Sequence, residues 1–375
     1  MNFGDKSVAA REKLGGLIST ELKLPLTSQE DLSVYYSPGI AEPCRRIAKD
    51  KSLSKTLTVR KNTIAVVSDG SAVLGLGNIG PEAALPVMEG KAMLFKQFGN
   101  VDAVPIVLDT QDVDEIVDIV SKLAPSFGGI NLEDISAPRC FEIEKKLLEK
   151  IDIPVFHDDQ HGTAIVVLAA LKNALLVVGK EIEDVRIVIS GAGAAGIAID
   201  TLLRAAGVKH IDLVDSKGLV CCTRKDLNDQ KRDFCSLNCG SLADGIKGAD
   251  VFIGVSKGGL LSSELVQTMA RGPIIFALAN PDPEILPDEA KSGGAAIIAT
   301  GRSDFPNQIN NVLVFPGLFR GLLDAGISLV TEEMKLAAAA ALSKLVPKPT
   351  AEKIIPAPFD PGVTDAIAEA IRKFQ

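Results

Sequence analysis

Short apolar runs alternate with amphipathic stretches along most of the chain. From Thr63 the order is "TIAVVSD", a glycine loop, a helix-like stretch 81–98 and a second apolar run "AVPIVLD". A helical period follows at 112–124, with Val113, Ile116, Val117 and Val120 on one face. Then come "GGINLEDI", the amphipathic "CFEIEKKLLEK" and "IPVFHDD". Period-two or continuous apolar runs bounded by turn residues predict strands, and the 3.6-residue period predicts helices. A β-α-β rhythm sustained for about 100 residues predicts an α/β layer with a largely parallel sheet.

A second unit of this kind starts after the apolar stretch 164–179. "VRIVIS" runs into Gly191, a helix is predicted at 197–206, and "HIDLVD" closes at Asp215. "DVFIGVS", "PIIFALAN" and "AAIIAT" supply further short strands, and the tail reads as helices around a Pro-rich linker, 347–361. The prediction is two α/β domains, the second a Rossmann-like doubly wound parallel sheet, with C-terminal helices. Boundaries are placed at 1–160, 161–330 and 331–375.

Composition narrows the class. The 375 residues are 46% hydrophobic and 23% charged, enough for a sizeable core, and the formal charge of −8 without a basic run argues against nucleic acid or an anionic membrane as partner. The stretch 164–179 is interrupted by Lys172 and Asn173 and falls short of the ~20 residues of a bilayer span, so it reads as a buried helix. The N-terminus has no signal-type apolar stretch, which makes a cytoplasmic location the expectation. Of six cysteines, Cys221, Cys222, Cys235 and Cys239 cluster, but their spacing fits zinc sites poorly and they read as reduced loop thiols.

Two stretches spell G-x-G-x-x-G: "GLGNIG" at 75–80 and "GAGAAG" at 191–196. In the second a strand leads straight into the first glycine and a helix follows, so its N-terminal N–H groups can face a pyrophosphate. Asp215 closes the next strand, where a ribose diol would lie. Gly191, Ala192, Gly193, Ala194, Ala195, Gly196 and Asp215 are therefore the candidate NAD or NADP site, with Ser216 and Lys217 able to help hold a 2′-phosphate. The first loop is less direct: its amides are expected to line a cleft for an anion or the cofactor's far end, with a purely structural turn as the alternative.

Two carboxylate pairs, Glu133–Asp134 and Asp158–Asp159, fall at predicted C-terminal strand ends, where open α/β sheets gather ligands. Four acids together repel unless a cation lies between them, and oxygen donors favour Mg2+ or Mn2+. His157 and His161 offer a zinc alternative, but "HDDQH" lacks the protease glutamate, and capping or supporting roles are favoured.

"YYSPGIAEPC", "DGSAVLGLGNIGPEAALPVMEGKAMLFK", "INLEDI", "FHDDQHGTA", "SGAGAAGIA" and "NNVLVFPG" closely resemble, in order and spacing, the short-chain bacterial-type malic enzymes over nearly the full length. The resemblance implies oxidative decarboxylation of malate to pyruvate with NAD or NADP and Mg2+ or Mn2+. It implies Lys91 as general base, Tyr36 as the acid that protonates the enol (Tyr35 is the alternative), and Glu133, Asp134 and Asp159 as metal ligands. Asp158 falls behind them, near Lys91. Asn280 and Asn311 would contact substrate and nicotinamide, with Asn310 able to exchange with Asn311. Larger members carry an arginine for the substrate carboxylate where this chain has Ala72, so Ser71 and the amides of 71–77 are expected to take that carboxylate.

A malolactic enzyme, which retains the nicotinamide and releases lactate, uses the same groups. A non-catalytic nucleotide-responsive regulator is a third class, disfavoured because the acid, base and metal-ligand positions are all present. The resemblance also implies a homodimer, or a higher homo-oligomer, in which a segment such as 1–33 packs on a neighbouring subunit.

Overall fold

The computed structural model describes residues 2–73 and 75–375. The continuous apolar run from Thr63 becomes strand β1 (Thr63–Ser68), buried along its whole length, as a strand covered on both faces must be. It is joined by β2 (Asp102–Val107), β3 (Gly129–Leu132) and β4 (Val155–His157) in the order β2-β1-β3-β4, all parallel. The second sheet comprises β5 (Arg186–Ser190), β6 (His210–Asp215), β7 (Gly218–Leu219), β8 (Val251–Gly254), β9 (Ile274–Ala277) and β10 (Ile297–Thr300). Its order is β10-β9-β8-β5-β6-β7, parallel except for the short hairpin partner β7. Strand order reverses beside β1 in one sheet and beside β5 in the other. A glycine loop leaves the C-terminal end of each of these two strands, where a crevice opens in such sheets.

The apolar stretch after β4 forms helix Thr163–Val178, most of whose side chains are buried. Together with the preceding turn, Asp158–Val178 is the one described helical segment long and apolar enough to cross a membrane, and its apolar window lies mostly inside the protein. Asn173 ties it to the tail by donating to the carbonyls of Ser343 and Ile354 at 2.9 and 2.8 Å. The helix after the second glycine loop begins at Ala194, three residues earlier than the pattern suggested, because Gly193 is its N-cap and the fingerprint's own alanines form its first turn.

The tail returns to the first sheet. Helix Phe315–Ala325 packs on helix Val363–Arg372 and on Pro81–Gly99. Gly317 and Gly321 permit this approach, since a Cβ there would lie 2.9 Å from the Ile367 Cβ and 2.7 Å from the Ile371 Cβ. Phe319 stacks edge-on against Phe95 and Phe156, at centroid distances of 5.4 and 6.1 Å.

The cysteine expectation is corrected. Cys221 pairs with Cys239 and Cys222 with Cys235 as two disulfides, with Cα separations of 5.2 and 5.0 Å. Ser236 donates its N–H to Val220 and accepts that of Cys222 through its carbonyl, both at 3.0 Å. The two segments therefore run side by side, and adjacent cysteines meet different partners.

Truncating Phe319 to Ala removes a ring at 0% exposure from the contact between tail and first sheet. Such truncations cost about 3–5 kcal/mol, so denaturant unfolding followed by far-UV circular dichroism should show an unfolding free energy lower by that amount and a correspondingly lower midpoint.

Candidate active site

The chemistry converges on the C-terminal edge of the first sheet. Lys91 comes from helix Pro81–Gly99, which Pro81 opens at its first turn and Asn100 ends in a left-handed cap. It is buried, with its Nζ 2.6 Å from Asp158 Oδ2, 2.7 Å from Glu133 Oε1 and 4.2 Å above the Phe315 ring centroid. Burial opposes the ammonium, but Asp158, Glu133 and Asp159 outweigh it and hold Lys91 above its ordinary pKa.

Glu133 and Asp134 directly follow β3, and Asp158 and Asp159 follow β4. Asp134 adopts φ 53°, a left-handed conformation uncommon outside glycine, and its N–H donates to Asp159 Oδ2 at 2.8 Å. This turn brings carboxylate oxygens of Glu133, Asp134 and Asp159 within 4.8 Å of one another. Burial, reinforced by Asp159 and Glu133, pushes Asp134 up to about 9. Its Oδ2 is buried with no hydrogen-bond partner among the described residues. Three crowded oxygen donors, one of them buried without a partner, fit a hard divalent cation.

Behind this cluster lie the two histidines, His161 engaged by protein partners and His157 with its Nδ1 3.8 Å from Asp159 Oδ2. His161 Nε2 lies 2.9 Å from Glu144 Oε1 and its Nδ1 2.9 Å from Lys335 Nζ. Burial would raise Glu144, but His161 overrides it and holds the carboxylate near 2. His157 is fully buried, and that burial lowers it to about 4, leaving it neutral. Gly162 makes room for the cluster, because a Cβ there would fall 1.9 Å from Asp158 Oδ1 and 3.2 Å from the Asn311 Cβ. Asn311 thus stands beside the acids, whereas Asn310 spends its side chain capping the Val312 N–H at 2.9 Å.

The second glycine loop behaves as its spacing requires. Gly191 has φ 126°, and a Cβ on Gly196 would lie 1.7 Å from the Gly191 carbonyl oxygen. At Gly193 a Cβ would meet nothing within 4 Å, so the loop is open on the side of the first-turn N–H groups of Ala194 and Ala195. Asp215 ends β6 as expected, but its carboxylate is engaged by Arg224 at 2.8 and 3.0 Å and by Lys231 at 2.8 Å. Burial would raise it; these partners hold it near 2. Arg224 and Lys231 lie in the cross-linked loop, and no motif pointed to them.

The first loop holds the two halves of the cleft together. Gly75, at φ 67°, sits against the turn after β9: a Cβ there would be 2.6 Å from Pro281 Cδ and 3.0 Å from the Asn280 carbonyl. Five of the amides expected to take an anion are engaged within the protein, while Leu74 lies outside the described residues. The N–H of Ser71 donates to Asp69, that of Ala72 to the Asp134 carbonyl, that of Val73 to Gly77, and those of Leu76 and Gly77 to Val73. The Ser71 hydroxyl is also committed, donating to Asp69 Oδ1 at 2.5 Å and accepting from the Ser136 N–H at 2.9 Å. Arg139, unforeseen in the sequence, secures this knot through Asp69, Ser136 and the Gln111 carbonyl. Tyr36 is 67% exposed and Tyr35 48%, and no side-chain hydrogen bond joins either to the acids or to Lys91.

Comparison with known proteins agrees with this geometry. Residues 17–148 match the model of the malic enzyme N-terminal domain and residues 160–365 that of the malic enzyme NAD binding domain. A Bacillus subtilis protein named bifunctional malic/malolactic enzyme is 54% identical, covering 100% of this chain and 93% of that one. An NAD-dependent malic enzyme of Geobacillus stearothermophilus is 55% identical over 96% of this chain and 76% of its own length. The crystal structure of an NAD-dependent malic enzyme from Thermotoga maritima superposes with a TM-score of 0.94 at 48% identity, covering 97% of this chain and 98% of that one.

Adding Mn2+ should raise the thermal midpoint of the wild-type chain, since a ligand at 100 times its Kd contributes about 2.7 kcal/mol. In Asp134→Asn the shift should largely vanish; an undiminished shift would place the cation elsewhere.

Proposed function

The chain belongs to the malic enzyme family, and from that premise we propose that it oxidises malate at C2 with NAD or NADP, releases CO2 and yields pyruvate. The observation that carries the proposal is Lys91, buried between Asp158 and Glu133 at the edge of the three-carboxylate cluster. Substrate and metal chemistry is assigned to residues 1–160, dinucleotide binding to 161–330 and a helical extension to 331–375. A cytoplasmic location and a homo-oligomer accompany this reading.

Glu133, Asp134 and Asp159 would hold Mg2+ or Mn2+, which when bound supplies Lewis-acid polarisation of the substrate oxygens. Gly191–Gly196 and Asp215 would hold the dinucleotide, which accepts hydride from C2. Lys91 takes the C2 hydroxyl proton. To do so it must first give up its own, and the charges opposing this loss belong partly to the carboxylates that a divalent cation would offset. Asp158, at 0% exposure, fixes the lysine's direction. Asn311 beside the cluster and Asn280 after β9 offer uncharged amides to the substrate and nicotinamide. Tyr36 returns a proton to C3 of the enolate left by CO2 loss. Ser71 serves by shaping the loop, since its hydroxyl is already paired.

The malolactic outcome is the second reading, favoured by the name of the Bacillus subtilis relative. Product analysis separates the two: pyruvate with net nicotinamide reduction marks the malic reaction, lactate without it the malolactic one.

Lys91→Ala should lower kcat for malate oxidation by about 10²–10⁴-fold, the usual range for loss of a positioned acid or base. Dinucleotide affinity, measured by fluorescence titration, should stay near the wild-type value. Full turnover in that variant would remove the assignment.

A further inference from the structure

Two disulfides stand in one short loop at the rim of the second sheet, and nothing in the malic reaction uses them. Cys221–Cys239 and Cys222–Cys235 span sequence separations of 18 and 13, so both join the start of this loop to its end and neither links distant elements. A chain of 375 residues with an extensive buried core does not need such staples, as a small secreted domain does. In the reducing compartment that accompanies the malic enzyme reading, the disulfides that form are usually transient, sensing or catalytic.

The loop they close carries the two cations that claim Asp215. Arg224 takes both carboxylate oxygens, at 2.8 and 3.0 Å, and Lys231 reaches Oδ2 at 2.8 Å. Asp215 ends β6 next to the second glycine loop, since the Gly191 N–H donates to the Val214 carbonyl at 2.8 Å. Where Arg224 and Lys231 sit therefore decides the charge at that edge. Packing alone holds the loop weakly: Leu227 is the one buried residue of 222–239, with Phe234 half-buried against the core. Helix Asp229–Arg232 is a single turn without a buried side chain, too short to persist in water by itself. Each disulfide also has an outer and an inner end. Cys239 and Cys222 are exposed, whereas Cys221 is buried and Cys235 half-buried. The Thr223 hydroxyl lies 3.1 Å from Cys221 Sγ and 3.4 Å from Cys239 Sγ, within reach to donate to a thiolate on either.

We propose that this loop is a thiol–disulfide exchange site, at which a dithiol opens both bonds and so loosens Arg224 and Lys231 from the dinucleotide edge. It rests on the reading of Gly191–Gly196 and Asp215 as that edge. In each exchange a thiolate of the dithiol attacks the outer sulfur, Cys239 Sγ or Cys222 Sγ, and forms a mixed disulfide. The protein S–S bond breaks, and the inner cysteine, Cys221 or Cys235, leaves as a thiolate and takes a proton. The second thiolate of the dithiol then closes the reagent's own disulfide, freeing the outer cysteine. Each bond so receives two electrons and two protons, and two dithiols are oxidised for the four thiols formed. The opened loop has to be ordered again each time a dinucleotide binds, and immobilising long side chains weakens binding.

The full chain, isolated without reductant and then treated with dithiothreitol, tests this by two independent readouts. Alkylation in denaturant, read by mass, should label two cysteines before treatment, Cys44 and Cys140, and all six after it, with the far-UV circular dichroism of the native chain unchanged. Fluorescence titration with NADH and with NADPH should show affinity about tenfold weaker after reduction, the effect of re-ordering two long side chains. Reoxidation with glutathione disulfide should restore it. The double variant Cys222→Ser with Cys239→Ser should bind like the reduced chain and ignore dithiothreitol. Six free thiols in the chain as isolated, or a zinc ion held by these four sulfurs, would overturn the exchange site, as would bonds that open without changing either affinity. Absence of binding by both nucleotides in the oxidised chain instead removes the dinucleotide reading, and the proposal with it.

Discussion

Everything at the catalytic edge follows from an excess of buried negative charge. Among the described residues Lys91 is the one ammonium paired with this group of acids, Glu133, Asp134, Asp158 and Asp159, and its ion pairs with Asp158 and Glu133 leave two further carboxylates without a cationic partner. Removing carboxylates from water costs several kcal/mol each unless opposite charge is supplied. The protein answers by raising these groups toward their neutral forms, Glu133 and Asp158 both to about 7 through burial. A divalent cation answers the same imbalance without protons, which is why the cluster reads as a metal centre and not as a decorated surface.

The fold is arranged to sustain that imbalance. Two parallel strands, β3 and β4, end side by side and deliver the carboxylate pairs to one edge. The left-handed turn at Asp134 and the missing side chain at Gly162 bring the acids close enough to share one ion. Phe315, from a helix near the far end of the chain, closes over Lys91 and links the tail to the site. The two glycine loops then divide the work. Gly193 leaves a helix N-terminus open, where the proposed function puts the dinucleotide, while Gly75 lets the first sheet's loop seat against Asn280–Pro281 at the second sheet's edge.

Much of this was legible in the sequence. The β-α-β alternation gives both sheets because parallel strands must be separated by crossovers, and the carboxylate pairs follow apolar runs closely enough to mark strand ends. What was not legible depended on side chains choosing among partners. Ser71 has the right position for a substrate contact but is claimed by Asp69 and Ser136. Asp215 stands where a ribose-binding acid should, and spacing gives no sign that Arg224 and Lys231 will reach it. The four cysteines lack a familiar spacing because their pairing is set by two segments lying side by side, a tertiary fact. The N-terminal stretch 2–62 is the same kind of case: its apolar residues predict burial, and only the fold shows that none of its residues is buried.

The central claim is that Glu133, Asp134 and Asp159 together hold one hard divalent cation beside Lys91. Its most direct test is a crystal of the chain soaked in Mn2+ and measured for anomalous scattering. The account predicts a single strong peak about 2.1 Å from one oxygen of each of the three carboxylates, a typical distance for a small hard cation. A peak bound by His157 or His161, or none at this edge at saturating Mn2+, would contradict it.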